Sequence, residues 1–526
     1  MRDPLASAPP LVLTSEMPGA DPDSLARISE AEERFERVRR QTGLIVAPLV
    51  GLGLWLLPIA SLNPQGHALV AILGLVVVLW LTEAIPMAAT ALLGPTLAVV
   101  LGVASARDMY RAFSDPIIFL FIGSFMLVEA MMKHGLNRRL AFFILGSRAV
   151  GESPFRLYAA FGIIVTVLSM WVSNAATTAM MLPIGIAIAT EIARRDSLRL
   201  GRTIPFTQLP VATGLMLLTA FGASVGGLAT PIGTPPNLIG IGMIESTLGT
   251  RISFFEWMRF GLPVSIGLCA FLVFNFYRRC PLSPVSLQGG SQWLQQEEGR
   301  LGPWTSAQRN VLIVFLLAVL LWILPGILTL VVGKDNRWVL ALNERLPESA
   351  VAMLAASALF AWPTRWRDGE FTLGWRDAVK IDWGTIFLFA GGMALGEQMF
   401  KTGVAHWIGD GLVHVFPVKT TLGFTVLFTA VAILVSEATS NTASATMIVP
   451  VAIAVCQSAG VDPLQPAIAS CLGASMGFLL PVSTGPNAIV YGSGCVPLPQ
   501  MVRHGAFLDV AGFLLIVAVV TFLGKP

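Results

Sequence analysis

Apolar runs recur from about position 43 to the C-terminus, separated by short polar or Gly/Pro-containing segments. Their lengths match the ~20 residues that an α-helix needs to cross a bilayer. The pattern predicts spans over 43–63, 67–85, 87–104, 115–134, 258–277, 309–332, 347–363, 382–403 and 505–524. Two longer runs are interrupted, 207–248 at 230–237 and 463–496 at 481–487. Two more segments, 155–192 and 420–458, each place two apolar arms around a Ser-Asn pair. Each could be two crossings, but no charges flank the polar turn, so a re-entrant hairpin turning inside the membrane is expected. The pattern gives an all-α polytopic membrane protein of about 11 transmembrane helices plus two re-entrant hairpins.

The pieces come twice, in the same order. Ile118-Phe119-Leu120-Phe121 returns as Ile386-Phe387-Leu388-Phe389, and Gly123, Leu127 and Glu129 match Gly391, Leu395 and Glu397. Ser169 and Ser173-Asn174-Ala175 match Ser436 and Ser440-Asn441-Thr442. Pro231-Ile232-Gly233-Thr234-Pro235-Pro236-Asn237 answers to Pro481-Val482-Ser483-Thr484-Gly485-Pro486-Asn487. Arg34, Arg37, Arg39 and Arg40 precede the first span and place the N-terminus in the cytoplasm. Counting crossings from there makes the two copies inverted-topology repeats. The expected organisation is a cytoplasmic tail and interfacial helix over 1–42, with a helix at 24–41 capped by Ser24. A first membrane half follows over 43–277, then a flexible cytoplasmic linker over 278–308 and a second half over 309–526.

Composition agrees. Hydrophobic residues make up 55% and charged residues 12%, and the mean hydropathy is +0.73, which excludes an ordinary soluble globule. The net charge of +3 reports topology and not a nucleic-acid partner. Five cysteines without ligand spacing read as buried thiols. With no P-loop, ATP-driven transport by this chain alone is not expected.

A duplicated membrane chain with polar, Gly/Pro-broken segments at matching places is how secondary transporters build midplane sites. A helix starting at each Ser-Asn pair would point its free N–H groups and positive dipole end at an anion. The arm that ends there leaves carbonyl oxygens, which suit Na⁺, with Ser169 and Ser436 adding a hydroxyl each. One Ser-Asn-Thr alone is a helix-packing patch; two inverted copies with paired breaks favour a site. Ser224 and Ser475 lie in G-x-S-x-G patterns, but on helices without a general base, so an intramembrane serine hydrolase is the distant alternative. Glu129 with Lys133, and Glu397 with Lys401, read as i, i+4 pairs. Glu437, whose counterpart is Met170, remains open between tuning a cation site, accepting a proton, capping the hairpin and pairing locally.

These residues resemble the divalent anion/sodium symporter family of Na⁺-coupled dicarboxylate, citrate and sulfate carriers, over nearly everything after residue 42. The resemblance implies an elevator-type homodimer in the cytoplasmic membrane. It implies one Na⁺ site at Ser169, Ser173, Asn174 and the backbone of Gly233, and a second at Ser436, Asn441 and the backbone near Ser483. Substrate carboxylates would meet Ser173, Asn174, Thr234, Ser440, Asn441, Thr442 and Thr484. Two positions depart from the family pattern: Ala175 stands where Thr is usual, and Gly485 where Pro is commoner. The expected activity is Na⁺-driven symport of di- or tricarboxylates such as succinate, malate, fumarate or 2-oxoglutarate, with two or more Na⁺. A Na⁺-independent dicarboxylate antiporter and a sulfate symporter are the alternatives.

Overall fold

The computed structural model describes residues 30–145, 150, 153–282, 295–296, 298–415 and 418–524. The tail, the Ser24 cap and most of the Gly/Ser/Gln linker lie outside these. Among the described residues the chain is almost wholly helical, apart from one short ribbon pairing Pro363–Arg365 with Glu370–Phe371. Nine helices among the described residues are long and apolar enough to cross a membrane, and three of them, Asn174–Leu200, Thr421–Ala438 and Asn441–Ser458, belong to the two segments expected as hairpins. Met87–Val100, Pro154–Ser169 and Glu348–Ala361 are apolar but shorter, and the two interrupted runs are each split by their break. The charged segment and the first apolar run form one helix, Glu30–Leu56, not an interfacial helix followed by a separate span. The helix runs through Gly43 and Pro48 without a break, packed against the following helix Pro64–Thr82. Leu136–Leu145, hidden between basic residues, is an additional helix.

Helix Pro210–Gly227 runs through the centre with 89% of its span buried, whereas Ser306–Val332, at 22%, presents its flank outward. The duplicated helices pack across the molecule. Pro154–Ser169 lies on Pro210–Gly227, and its counterpart Thr421–Ala438 lies on Leu464–Gly473. The helices that begin at the Ser-Asn pairs exchange halves: Asn174–Leu200 packs on Gly485–Gly492, and Asn441–Ser458 packs on Pro235–Leu248. Each half therefore completes the surroundings of the other.

Of the two expected Glu–Lys pairs, Lys401–Glu397 forms at 3.4 Å. Lys133 instead pairs with Asp377 at 2.8 Å, because the chain returns beside it after Trp375. The hydrogen bonds from Lys133 and Lys380 hold the Asp377 carboxyl down at about 2. The end of the linker is fastened by Arg139, which donates to the carbonyls of Leu301, Gly302 and Pro303.

Candidate functional site

Each Ser-Asn pair opens a helix after a short turn. Ser173 is the N-cap of Asn174–Leu200 and its hydroxyl accepts from the Ala176 N–H at 3.4 Å. Ser440 does the same for Asn441–Ser458 through the Ala443 N–H at 3.2 Å. Side-chain oxygens are the usual solution for orphan amides at a helix start. One turn back, Ser169 donates to Asn174 Oδ1 at 2.8 Å, and Ser436 donates to Asn441 Oδ1 at 2.8 Å. Both serines are wholly buried. The two tips thus carry the same brace, which fixes each Asn amide in one orientation.

The breaks are also built alike. Asn237 donates from Nδ2 to the carbonyls of Gly227 and Thr230, both at 2.8 Å. Asn487 repeats this with Gly477 at 3.1 Å and Leu480 at 3.0 Å. Chain that has left the helix at Gly227 or near Gly473 would otherwise strand these carbonyls in an apolar interior. The sequence match had found the asparagines but not their task as clamps. Thr234 and Thr484 are the N-caps of the helices after the breaks, and Thr484 Oγ1 accepts from the Asn487 N–H at 3.2 Å.

Tip and break meet in both halves. A Cβ on Gly227 would fall 2.4 Å from Asn174 Oδ1, and one on Gly233 would fall 2.6 Å from the Gly227 carbonyl oxygen and 3.0 Å from that of Met170. A Cβ on Gly477 would come 3.1 Å from the Ser436 carbonyl oxygen and 3.2 Å from Asn441 Oδ1. Two compact sets of carbonyl, amide and hydroxyl oxygens therefore surround these glycines, and at Gly227 and Gly233 they leave no room for a side chain. Uncharged hard oxygens in this arrangement fit a desolvated alkali cation. Asn237 Oδ1 and Asn487 Oδ1, at the same breaks, are buried without a hydrogen-bond partner among the described residues.

The sequence-selected residues thus fall into two groups around the crossing of the halves. Ser169, Ser173, Asn174 and Gly233 gather at tip one, and Ser436, Ser440, Asn441 and Thr442 form tip two beside Ser483, while the helix that Thr484 caps reaches tip one, where Gly485 adjoins Ala175. Ser173 is exposed and Thr442 half-buried, whereas Thr234 and Thr484 are buried. The hydroxyl of Ser483 donates to the Glu437 carbonyl at 3.1 Å and to its carboxylate at 2.8 Å. In half one the equivalent bond to the Met170 carbonyl comes from Thr230, so the two cation sets are related but not identical. Glu437 also accepts from the Phe478 and Leu479 amides at 2.6 and 3.0 Å, which assigns it to holding break two.

Each tip has its own bed. Trp171 stacks on Phe254 at 6.1 Å, and Phe254 stacks on Trp322 at 5.1 Å. At tip two, Ser440 donates to Met87 Sδ at 3.2 Å and Thr439 to the Trp80 carbonyl at 3.5 Å. These partners are distant in sequence and carry no motif. Ser224 and Ser475 are buried with hydroxyls that have no partner among the described residues.

Residues 39–526 match the family described as the sodium:sulfate symporter transmembrane region. A protein of Staphylococcus saprophyticus described as sodium-dependent dicarboxylate transporter SdcS is 34% identical over 502 residues, 95% of this chain and 94% of that protein. The SdcS of Staphylococcus aureus strain MRSA252 is 31% identical over 493 residues, covering 92% and 91%. Among solved structures, Neisseria gonorrhoeae MtrF, reported with a class of antimetabolite efflux pumps, shares the fold with a TM-score of 0.50 and 14% identity over 82% of this chain and 85% of that one.

Proposed function

Since the chain belongs to the sodium:sulfate symporter transmembrane family, a family of transporters and not enzymes, we propose that it carries small di- and tricarboxylates into the cell together with Na⁺. Succinate, malate, fumarate and 2-oxoglutarate are the substrates we expect, with one Na⁺ at each tip. The observation that carries this reading is the duplicated Ser–Asn brace beside a clamped break. Neither tip nor break contains a Lys or Arg, so a dianion has to be neutralised by something other than side-chain cations. Two Na⁺ held by the oxygen sets would do this, while the amide groups and hydroxyls at the helix starts hold the carboxylates. Substrate and cations then stabilise one another, which is the physical basis of obligatory coupling.

In this reading the segments 155–192 and 420–458 are re-entrant hairpins, the N-terminus is cytoplasmic, and a homodimer works by an elevator movement of the tips and breaks against the remaining helices. Uptake of labelled succinate into proteoliposomes tests it. Transport is expected to rise sigmoidally with external Na⁺ and to fall to background in K⁺ or choline. Equal rates in choline would replace symport by Na⁺-independent exchange, and competition by sulfate would identify that anion as a substrate.

The two ends of the site differ. A Cβ on Gly485 would lie 3.4 Å from the Ala175 Cβ, so a methyl meets bare backbone there. The equivalent positions in the other half are Thr442 and Pro235, a hydroxyl and a ring. A neutral hydrogen bond contributes ~0.5–1.5 kcal/mol, or roughly 2–13-fold in affinity. Ala175→Thr is expected to shift the competition profile among succinate, 2-oxoglutarate and citrate by about that factor, and Thr442→Ala to weaken all of them. An unchanged profile for Ala175→Thr would show that this position does not face substrate.

A further inference from the structure

Helices Phe254–Arg279 and Leu498–Leu523 pack side by side. Asn275 Nδ2 lies 3.0 Å from His504 Nδ1, and a Cβ on Gly267 would fall 2.6 Å from Leu515 Cδ2, so the two run antiparallel. One end of this seam carries three exposed arginines, Arg278 and Arg279 from the first helix and Arg503 from the second. Two of them are folded onto rings. The Arg279 guanidinium carbon lies 4.4 Å from the centre of the Phe507 ring, across the seam, and that of Arg278 lies 5.1 Å from Phe274. Phe507 follows Arg503 by one helical turn on the same face, so Arg503 stands one turn from the ring that Arg279 covers. The buried His504 between them feels both charges.

No carboxylate answers this cluster. Glu256, the acid of the first helix, caps its opposite end, and Asp509 on the second is buried. Among the described residues none of the three arginines is paired with a carboxylate. Basic groups at other helix ends are paired: Glu191 takes Arg194 and Arg195 at 2.9 and 2.6 Å, and Asp377 takes Lys133 and Lys380, both at 2.8 Å. Arginines at a span end also report topology, but topology requires only their number and not their convergence on one seam. The surroundings match the headgroup level of a bilayer. Phe274, Phe507 and Tyr277 are exposed, and Tyr277 packs edge-on against Phe155 at 5.4 Å, as aromatic side chains do at a membrane interface. Along the seam from there, Ile266 on one helix and Val510 and Leu514 on the other turn outward. From Arg503 to Leu514 the helix rises ~16 Å, about the depth of one leaflet of a ~30 Å hydrocarbon core.

We propose that this seam binds an anionic phospholipid. Arg279 and Arg503 hold its phosphate, Arg278 adds to the field beside them, and the acyl chains lie along the exposed faces of the two helices. A guanidinium stacked on a ring keeps its N–H edge free, and that planar edge matches two phosphate oxygens. A zwitterionic lipid brings its own cation to the site and loses most of this attraction, so the seam selects for net negative charge.

The test is the melting temperature of the purified full chain in neutral detergent, titrated with phosphatidylglycerol, phosphatidylcholine or inorganic phosphate. Phosphatidylglycerol is expected to raise it by a few degrees, because a ligand bound by the folded state alone stabilises that state. The other two additions are expected to leave it unchanged. In the double variant Arg279→Gln/Arg503→Gln the apparent affinity for phosphatidylglycerol should fall roughly 30-fold, the product of about fivefold for each arginine. Arg337→Gln is the control, since Arg337 covers the Trp338 ring at 5.0 Å on a different helix; it should retain the full rise. Should the double variant fail to fold, Arg503→Gln alone, which removes a charge that covers no ring, is expected to lose about fivefold. An equal rise with phosphatidylcholine would overturn the proposal, and so would wild-type affinity in the double variant or in Arg503→Gln. An equal rise with inorganic phosphate would overturn it too, because the site would then take a free anion and not a lipid.

Discussion

Asn174→Ala and Asn441→Ala are each expected to abolish Na⁺-driven uptake, with the protein still folded and inserted. Each asparagine performs two tasks in the proposed mechanism. Its Oδ1 is fixed by a buried serine hydroxyl at 2.8 Å and lies in the oxygen set proposed for Na⁺, while its amide N–H₂ faces the carboxylate or the break, as Asn441 does toward the Ser475 carbonyl at 3.4 Å. Truncation removes a cation ligand and a donor to a charged group together, and strands the Ser169 or Ser436 hydroxyl. Hydrogen bonds to charged groups contribute about 1.5–3 kcal/mol each, so losing two costs roughly 3–6 kcal/mol, on the order of 10²–10⁴ in transport efficiency. The control is Ser224→Ala and Ser475→Ala. Those hydroxyls are buried without a partner among the described residues, so removing them is expected to leave transport substantially intact. Labelled uptake at matched expression, with size-exclusion profiles to check folding, reads both. Normal transport by an asparagine variant would move the site elsewhere.

The tips and breaks were legible because Ser, Asn, Gly and Pro are costly inside an apolar helix, and their recurrence in a second copy cannot be dismissed as packing. The same local chemistry located the matched Ser169 and Ser436, the Thr caps and the clamp asparagines. Pairings made by distant returns of the chain were not legible. Lys133 finds Asp377 and not Glu129, and tip two finds Met87; neither partner has a distinctive spacing. Asp509 was missed for a different reason, since one carboxyl in a strongly apolar helix barely alters its hydropathy. Its carboxyl is buried without a donor among the described residues, which only the packed structure shows. The end of the first helix's charged segment was misplaced because helical hydrogen bonding does not register where a membrane surface would lie.

Gly227→Ala is expected to be far more damaging than Gly477→Ala, although the two glycines are equivalent in the repeat. At Gly227 the new methyl would stand 2.4 Å from Asn174 Oδ1, and the only group free to yield is the amide itself. Rotating it away breaks the Ser169 brace and withdraws an oxygen from the proposed first Na⁺ site. At Gly477 the nearest atoms are 3.1 Å and 3.2 Å away, a crowding that shifts of a few tenths of an ångström relieve. Forced repacking in a dense interior costs about 1–3 kcal/mol, and here the strain falls on a ligand and not on the general core. Uptake by Gly227→Ala should fall by roughly 10–100-fold, with the Na⁺ half-saturation raised and the melting temperature in detergent lowered only slightly. Gly477→Ala should stay within a few-fold of wild type. Equal effects at the two positions, or a loss at Gly227 that appears only as unfolding, would show that the close approach of glycine to asparagine is packing alone and does not shape a cation site.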